Sequence, residues 1–312
     1  MSITEDILRP TILAAGYKGT RFVAGLLKNG VKPRLIATYR QDGDVSNSFD
    51  QLAELGRSHA LRVEETHRPD IEKDRLVLVV GWQFLLRNGL DRCIVFHDSL
   101  LPQFRGFAPT VTALLLGVPA IGVSAIQPNE GPDHGKVYGS RIVHIKPGAS
   151  LRAIFDLQTE AMVDLAVEIL DKFINGTLVG RPQDHEKATH SLWRDEYDYF
   201  VDWRLSAPEI IRHVQASGFP YLGAKAILDN QVITLDEVTL GPDLSFAIRN
   251  PGKLWQIEDR RALVVCGRGT IWIDKARDDT GKPFRFTRLR TRFLTADTAW
   301  LSPFCTTLSQ AR

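Results

Sequence analysis

Three short runs, Thr11-Ile-Leu-Ala-Ala-Gly16, Leu76-Val-Leu-Val-Val80 and Cys93-Ile-Val-Phe96, are apolar nearly throughout rather than at alternate positions. A strand that is apolar on both faces has to be covered on both faces, which is the situation of a parallel sheet between two layers of helix. The intervening segments supply those helices. Residues 21–30 carry apolar side chains at helical spacing and stop at Asn29-Gly30, after a tight turn at 16–20. Residues 48–57 and 109–116 also read as helices, the second with a proline that its first turn accepts, and 151–174 is a long amphipathic helix stopped by Asn175-Gly176. Further strands are expected at 33–39, 60–63 and 120–126. The predicted fold class is therefore α/β, an open, doubly wound, mostly parallel sheet. The glycines at 16 and 19 do not make a GxGxxG fingerprint, and no acidic residue closes the second strand, so dinucleotide binding has little support.

The pattern changes near residue 180. A polar stretch runs from 181 to 198, and 207–216 reads as a short helix. Strand-like pieces follow at 225–228, 231–235, 262–266 and 270–274, with a turn at Gly267-Arg-Gly269. The predicted organisation is a first domain over 1–180, a linker and interdomain helix over 181–215, and a small β-rich domain over 216–312. No internal repeat is present.

Composition narrows the partners. Of 312 residues, 39 are basic and 37 acidic, a net charge of +2 that gives no reason to expect nucleic-acid binding. The stretch from Lys282 to Phe293 is locally basic and reads as a solvated strand or as a phosphate-facing patch. The N-terminal ten residues carry no apolar core followed by a cleavage signal, and no apolar run reaches membrane-spanning length, so neither a signal peptide nor a membrane span is expected. Cys93, Cys266 and Cys305 are isolated and odd in number, which fits thiols in a reduced, cytosolic compartment.

Chemistry concentrates in His97-Asp-Ser-Leu-Leu-Pro-Gln-Phe-Arg-Gly-Phe-Ala-Pro109, at the carboxyl end of a buried-type strand, where open α/β sheets bind ligands. A second Gly- and Pro-shaped loop, Pro128-Asn-Glu-Gly-Pro-Asp-His-Gly-Lys136, brings Asp133 and His134 to the same expected edge. His97 can take or relay a proton and Asp133 can orient it or accept the proton itself. The blander readings are a His97 that ties its loop to the strand and an Asp133 that caps a turn. A metal site from His97, Asp133 and His134 lacks tight ligand spacing, and Ser99 is not in a GxSxG context.

The pattern His97-x-Ser-Leu-Leu-Pro-x-x-Arg-Gly-x-x-Pro109, followed by Asn129-Glu-Gly-Pro-Asp-x-Gly135, resembles the signature of the folate-dependent formyltransferases. That family includes the methionyl-tRNA, glycinamide ribonucleotide and nucleotide-sugar enzymes, and the resemblance covers roughly residues 10–175. It implies N10-formyltetrahydrofolate as cosubstrate, no metal, and formyl transfer to an amine. It implies His97 and Asp133 as the catalytic pair, with Gly81, Trp82, Gln83, Phe84 and Leu85 joining Arg105, Gly106 and Asp133 around the folate. One position departs from the pattern: the family's usual Asn two residues before the histidine, whose amide helps hold the formyl oxygen, is Val95 here. His97 and backbone donors then suffice, another side chain substitutes, or turnover is weak. The segments 191–203 and 219–224 are similar to those of sugar N-formyltransferases. They imply a nucleotide-linked amino-dideoxy sugar as acceptor, with Trp193, Arg194, Tyr199, Trp203 and Lys225 around base and phosphates. Enzymes of this kind serve surface-glycan (O-antigen) synthesis as cytosolic dimers. A methionyl-tRNA acceptor, hydrolysis of the formyl folate, or a non-catalytic folate or nucleotide-sugar binder are the alternatives.

Overall fold

The structure, a computed structural model, describes residues 9–86, 88–129 and 131–295. Cys305, Glu130 and most of the N-terminal segment lie outside them. The chain forms two compact units, one of residues 1–113 with 118–193, the other of 114–117 with 194–312.

In the first unit the elements run β1 (Thr11–Ala14), α1 (Gly16–Lys28), β2 (Leu35–Thr38), α2 (Ser48–Ser58), β3 (Arg62–Glu65), β4 (Val77–Val80), β5 (Cys93–His97), β6 (Arg105–Gly106), α3 (Pro109–Leu116), β7 (Ala120–Ile126), β8 (Val137–His144), α4 (Leu151–Ile174) and β9 (His190–Ser191). Seven strands form one sheet in the order β3-β2-β1-β4-β5-β7-β8. The first five are parallel, while β7 and β8 run antiparallel to their neighbours. Alternation along each strand sorts the apolar runs onto two faces. Ile12, Ala14, Leu78, Val80, Ile94 and Phe96 pack with Phe22 and Leu26 of α1 and with Met162, Leu165 and Ile169 of α4. Leu13, Ala37, Val77, Val79 and Cys93 face the other way, covered by Ile71 and by the half-buried Trp82, Leu86 and Val95. Each of these larger side chains contributes about 1.5–3 kcal/mol by leaving water.

Three local expectations need correction. Helix α1 starts at Gly16, so the segment taken as a tight turn is its first turn; Thr20 there bonds back to Ser48 and Tyr17 reaches Asp156. The third strand lies two residues later than its apolar residues suggested. Strand β8 was not foreseen at all, because it is an edge strand whose side chains are mostly half-buried or exposed and include Arg141 and His144.

The strand order reverses between β1 and β4, and the crevice beyond their carboxyl ends is where such sheets bind ligands. Gly81 makes the close approach there. Its φ is +65°, and a Cβ would stand 2.3 Å from the Ala15 carbonyl oxygen, while Ala15 N–H donates to the Val80 carbonyl at 3.1 Å.

The second unit carries α5 (Ala207–Ala216) and the strands β10 (Ala224–Leu228), β11 (Gln231–Leu240), β12 (Leu254–Glu258), β13 (Arg261–Val265), β14 (Thr270–Arg277) and β15 (Phe293–Leu294). Helix α5 opens with a capping box between Ser206 and Glu209 and a proline in its first turn. The strands form one sheet in the order β12-β13-β14-β11-β10-β15, antiparallel throughout. Strand β12, an edge with Trp255 half exposed, was again not anticipated. In the basic stretch the phenylalanines turn inward and the arginines outward: Phe286 and Phe293 belong to the core, and Arg288 pairs with Asp229 at 2.9 Å. Trp203, expected beside a ligand, is 0% exposed and stacks on Phe293 with ring centres 4.6 Å apart. It is a core residue of this unit, placed there by its large apolar surface, and the expectation is corrected accordingly.

Gly148 also has a positive φ, +76°, but nothing lies within 4 Å of where its Cβ would be. Gly148→Ala should therefore cost only the left-handed strain, about 1–2 kcal/mol, and Gly81→Ala clearly more. Urea unfolding of the two variants measures the difference, and equal costs would show that the contact with Ala15 is not tight.

Candidate active site

His97 is the last residue of β5, on the same face as Cys93 and Val95. Its Nε2–H donates to the Phe104 carbonyl at 2.9 Å, and since a carbonyl only accepts, that nitrogen carries the proton. The other ring nitrogen, Nδ1, lies 3.4 Å from Asp133 Oδ2. The same carboxylate oxygen accepts the Gly106 N–H at 2.8 Å. The two side chains are 8% and 18% exposed, so the pair sits at the rim of the interior rather than in open water. Burial lowers the imidazole from its ordinary value, with Asp133 and the Phe104 carbonyl acting the other way and the Lys18 charge adding to the lowering. A neutral His97 therefore presents an Nδ1 lone pair to a carboxylate. The pair consists of two acceptors placed to share one incoming proton.

The loops around this pair are held by side-chain bonds to backbone. Ser124 Oγ donates to the Ser99 carbonyl at 2.7 Å and accepts the Leu101 N–H at 3.1 Å. Gln158, buried on α4, donates to the carbonyls of Asp98 and Gly122 at 3.0 and 3.1 Å and accepts from Thr110 Oγ1 at 2.8 Å. Arg105 is 2% exposed. Its Nη2 donates to Gln183 Oε1 at 2.7 Å, and Gln183 Nε2 donates to the carbonyls of Asp133 and Gly135, both at 2.7 Å. Strands β6 and β9 pair in parallel and fix Arg105 and Gly106 beside His190 and Ser191. Phe104, Ala108 and Asp133 all have positive φ, of 56°, 47° and 55°. Such conformations are costly for residues with a side chain and persist only where surrounding bonds hold them.

Next to His97, the Asp98 carboxylate is in contact with the Lys18 ammonium, which also lies 4.2 Å from the Phe155 ring centre. Burial works to lower Lys18, and the contact with Asp98 opposes that shift. Ser99 is fully buried with its hydroxyl donating to the Gln103 carbonyl at 2.6 Å, so it does not stand ready as a nucleophile. Among the described residues no group of three or more His, Cys, Asp or Glu side chains could hold a metal ion. No described helix is long and apolar enough to cross a membrane.

The loop after β4 is aromatic. Trp82 lies edge-on to Tyr39 at 5.1 Å and 87°, and Phe84 contacts Tyr39 at 4.8 Å and His67 at 4.6 Å. Leu85 is 92% exposed and flanks a groove of roughly 450 Å³ that His67, Arg68, Ile71 and Leu86 also line. A second groove of roughly 380 Å³ lies between α1 and α4; neither groove is lined by His97 or Asp133. Gln83 is exposed in the same loop. Of the residues expected at the acceptor, Arg194 and Tyr199 come together, the guanidinium 5.3 Å from the ring centre. Lys225 lies 5.7 Å from the Phe200 ring, and Trp193 is 62% exposed.

Sequence reasoning missed Lys18, Gln158 and Gln183. Gln158 left a legible trace, an amide on the mostly apolar buried face of an amphipathic helix; Lys18 and Gln183 left none, since their partners are remote in sequence.

A mostly parallel seven-stranded sheet followed by a smaller, antiparallel β-rich unit is a formyltransferase-type architecture. The chain belongs to the formyl transferase family: the Formyl transferase model matches residues 75–169 and the Formyl transferase C-terminal domain model matches 195–292. Over 193 residues it is 31% identical to a methionyl-tRNA formyltransferase of Sorangium cellulosum, a match covering 61% of this chain and 61% of that enzyme. HypX from Aquifex aeolicus superposes with a TM-score of 0.59 at 18% identity, over 95% of this chain and 48% of HypX. WlaRD, a sugar 3N-formyl transferase solved in the presence of dTDP and 5-N-formyl-THF, gives 0.65 at 13% identity, over 91% of this chain and 99% of WlaRD. The matches therefore span less than two thirds of the Sorangium enzyme and of HypX.

Burial pushes the Cys93 and Cys266 thiols up to about 12. At pH 8 roughly one in ten thousand would then be thiolate. Peptide mapping after iodoacetamide treatment of the native protein should find both unmodified, and rapid labelling of either would show that it is accessible and activated.

Proposed function

We propose that this protein transfers a formyl group from N10-formyltetrahydrofolate to the amine of a nucleotide-linked amino-dideoxy sugar. The observation that carries the reading is the 3.4 Å approach of His97 Nδ1 to Asp133 Oδ2, with the Nε2–H already committed. Formyl transfer to an amine requires one proton to be taken from nitrogen, and this pair has room for one.

The residues present suit a folate. The Tyr39, Trp82, Phe84 and His67 rings offer faces and edges to a planar heterocycle, and the Trp82 indole N–H is a buried donor with no acceptor among the described residues. Bound N10-formyltetrahydrofolate supplies a formyl carbon that an uncharged amine attacks, so that a C–N bond forms as the C–N10 bond breaks, with one proton leaving the amine and one arriving at N10. His97 and Asp133 take up the first proton and supply the second, which leaves the pair unchanged over a turnover. Gly106 N–H and the Gln183 bonds keep the carboxylate aimed at the imidazole. The oxyanion must be stabilised by donors other than residue 95, because valine has none. No covalent acyl-enzyme is involved, in keeping with a buried Ser99.

For the acceptor, the Arg194–Tyr199 pair offers a charge and a ring suited to a nucleotide. The fold similarity to WlaRD, a sugar 3N-formyl transferase, supports the same choice. Similarity in sequence to methionyl-tRNA formyltransferases supports a second reading, with charged initiator tRNA as acceptor. A panel of dTDP-, UDP- and GDP-linked amino sugars and methionyl-tRNA, each incubated with the formyl donor and analysed by mass spectrometry, separates the two. Formylation of a sugar nucleotide is the expected result. Product only on the tRNA would overturn the acceptor, and no product, with formate released regardless of amine, would indicate a hydrolase.

His97→Asn and Asp133→Asn should each lower kcat by roughly 10²–10⁴-fold while leaving the far-ultraviolet circular dichroism spectrum unchanged. Because burial holds the imidazole below its ordinary 6.5, the base form persists into mildly acidic solution. The acid limb of the kcat/KM profile should then lie below pH 6.5, activity falling as the pair of the free enzyme gains a proton. Full activity in either variant would remove that residue from the mechanism.

A further inference from the structure

The carboxylate that orients His97 also works against it. Asp133 Oδ2, 3.4 Å from Nδ1, favours the imidazolium, and an imidazolium cannot take a proton from an amine. A useful base at this position needs an opposing influence that keeps the nitrogen empty until the acceptor arrives. Burial supplies part of it, and the structure holds a cation in the right place to add to it.

Lys18 stands in the first turn of α1, with its ammonium in contact with the carboxylate of Asp98, the residue directly after His97. Both side chains are mostly buried. Nζ also lies 4.2 Å from the Phe155 ring centre on α4, and Gln158, three residues further along that helix, holds the Asp98 carbonyl at 3.0 Å. Other charges nearby are engaged elsewhere: Asp156 is taken by Tyr17 at 2.6 Å and by Arg21 at 3.3 Å, and Arg105 lies behind Asp133, on Gln183. The charged groups beside the ring are thus Asp133 from the loop after β7, Lys18 from α1 and Asp98 from its own chain, with the Phe104 carbonyl at Nε2. Of these, Lys18 is the one that opposes protonation of the imidazole. Stability gives little reason to keep such a pair, since an ion pair withdrawn from water is often no better than apolar side chains of similar volume.

We propose that Lys18 is a positioning residue for the proton transfer, an ammonium fixed beside the end of β5 that keeps the Nδ1 lone pair of His97 open to the acceptor amine. The inference rests on the reading above of His97 as the proton acceptor. Asp98 anchors the ammonium, and Gln158 anchors Asp98. Burial draws Lys18 down to about 7 and the contact with Asp98 works the other way, so the ammonium is charged below 6.5, where the imidazole titrates. The same charge serves the second half of a turnover. An imidazolium near an ammonium is a stronger acid, and it gives its proton to N10 more readily.

The test uses the full-length protein with Lys18→Met, Lys18→Arg and His97→Asn. Methionine keeps an unbranched apolar stem beside Phe155 and removes the charge, while arginine keeps the charge and disturbs the fit. With ¹⁵N-labelled histidine, eight rings are at issue, and the signals missing in His97→Asn are assigned to His97. Lys18→Met should raise the His97 titration midpoint by roughly 0.5–1 in pH, and Lys18→Arg should leave it near the wild-type value. In the transfer assay the acid limb of kcat/KM should move to higher pH in Lys18→Met and stay in place in Lys18→Arg. A packing role predicts the reverse order, arginine more damaging than methionine, with the limb unmoved in both. An unmoved midpoint in Lys18→Met, an equal shift in Lys18→Arg, or a midpoint that moves while the limb does not would each overturn the role of Lys18 and leave His97 as the base. If the midpoint moves but the wild-type protein formylates no acceptor, the reaction reading fails and this inference with it. Should Lys18→Met not fold, Asp98→Asn decides: the released ammonium should lower the His97 midpoint, and a rise or no change overturns the proposal.

Discussion

The bond from the Gly106 N–H to Asp133 Oδ2 is the constraint on which the rest of the site depends. It joins the loop after β5 to the loop after β7, and it fixes the one carboxylate oxygen that faces His97. That placement is supported from behind by a chain of neutral and charged groups. Arg105, almost wholly buried, grips Gln183, and Gln183 grips the backbone on either side of His134. Burying a guanidinium is expensive, and such a group is tolerated where it is hydrogen-bonded and its removal would leave others unpaired. Here the group left unpaired would be Gln183, and the next to move would be Asp133, whose positive φ already marks it as held against its preference.

Charge near the pair is also balanced across the sheet. Lys18 lies close enough to His97 to disfavour the imidazolium, but Asp98 offsets much of that ammonium's field by direct contact. Adjacent residues of β5 and the loop after it thus point to opposite faces with different tasks: His97 towards Asp133, Asp98 towards α1. Gln158 holds the Asp98 backbone, so the two tasks share one anchor in α4. A fold that covers both faces of its sheet makes this division natural, since a strand end always offers one residue to each side.

Much of this was legible in the sequence, and for particular reasons. The parallel strands were readable because they are apolar on both faces, and α4 because 24 residues of amphipathic pattern end at an Asn-Gly stop. Strands β8 and β12 were not, because edge strands need not be apolar and their hydrogen bonds leave no side-chain signature. His97 and Asp133 stood out as candidates through their loops, which are dense in glycine and proline. Their actual geometry was not, since the 3.4 Å contact depends on β7 returning antiparallel beside β5, and strand order is invisible from composition. Trp203 misled for a plain reason: an aromatic residue in a polar stretch reads equally as a ligand platform or as a core plug, and only burial decides between them.

One fold can serve several amines, because the acceptor is recognised by site residues grafted on the fold and not by the fold itself. Charge supplies an independent argument. A protein that makes about six to ten phosphate contacts to a nucleic acid needs an extended basic face to do so. This chain carries a net charge of only +2, and its most basic segment turns Arg285, Arg288, Arg290 and Arg292 outward with one of them matched by Asp229.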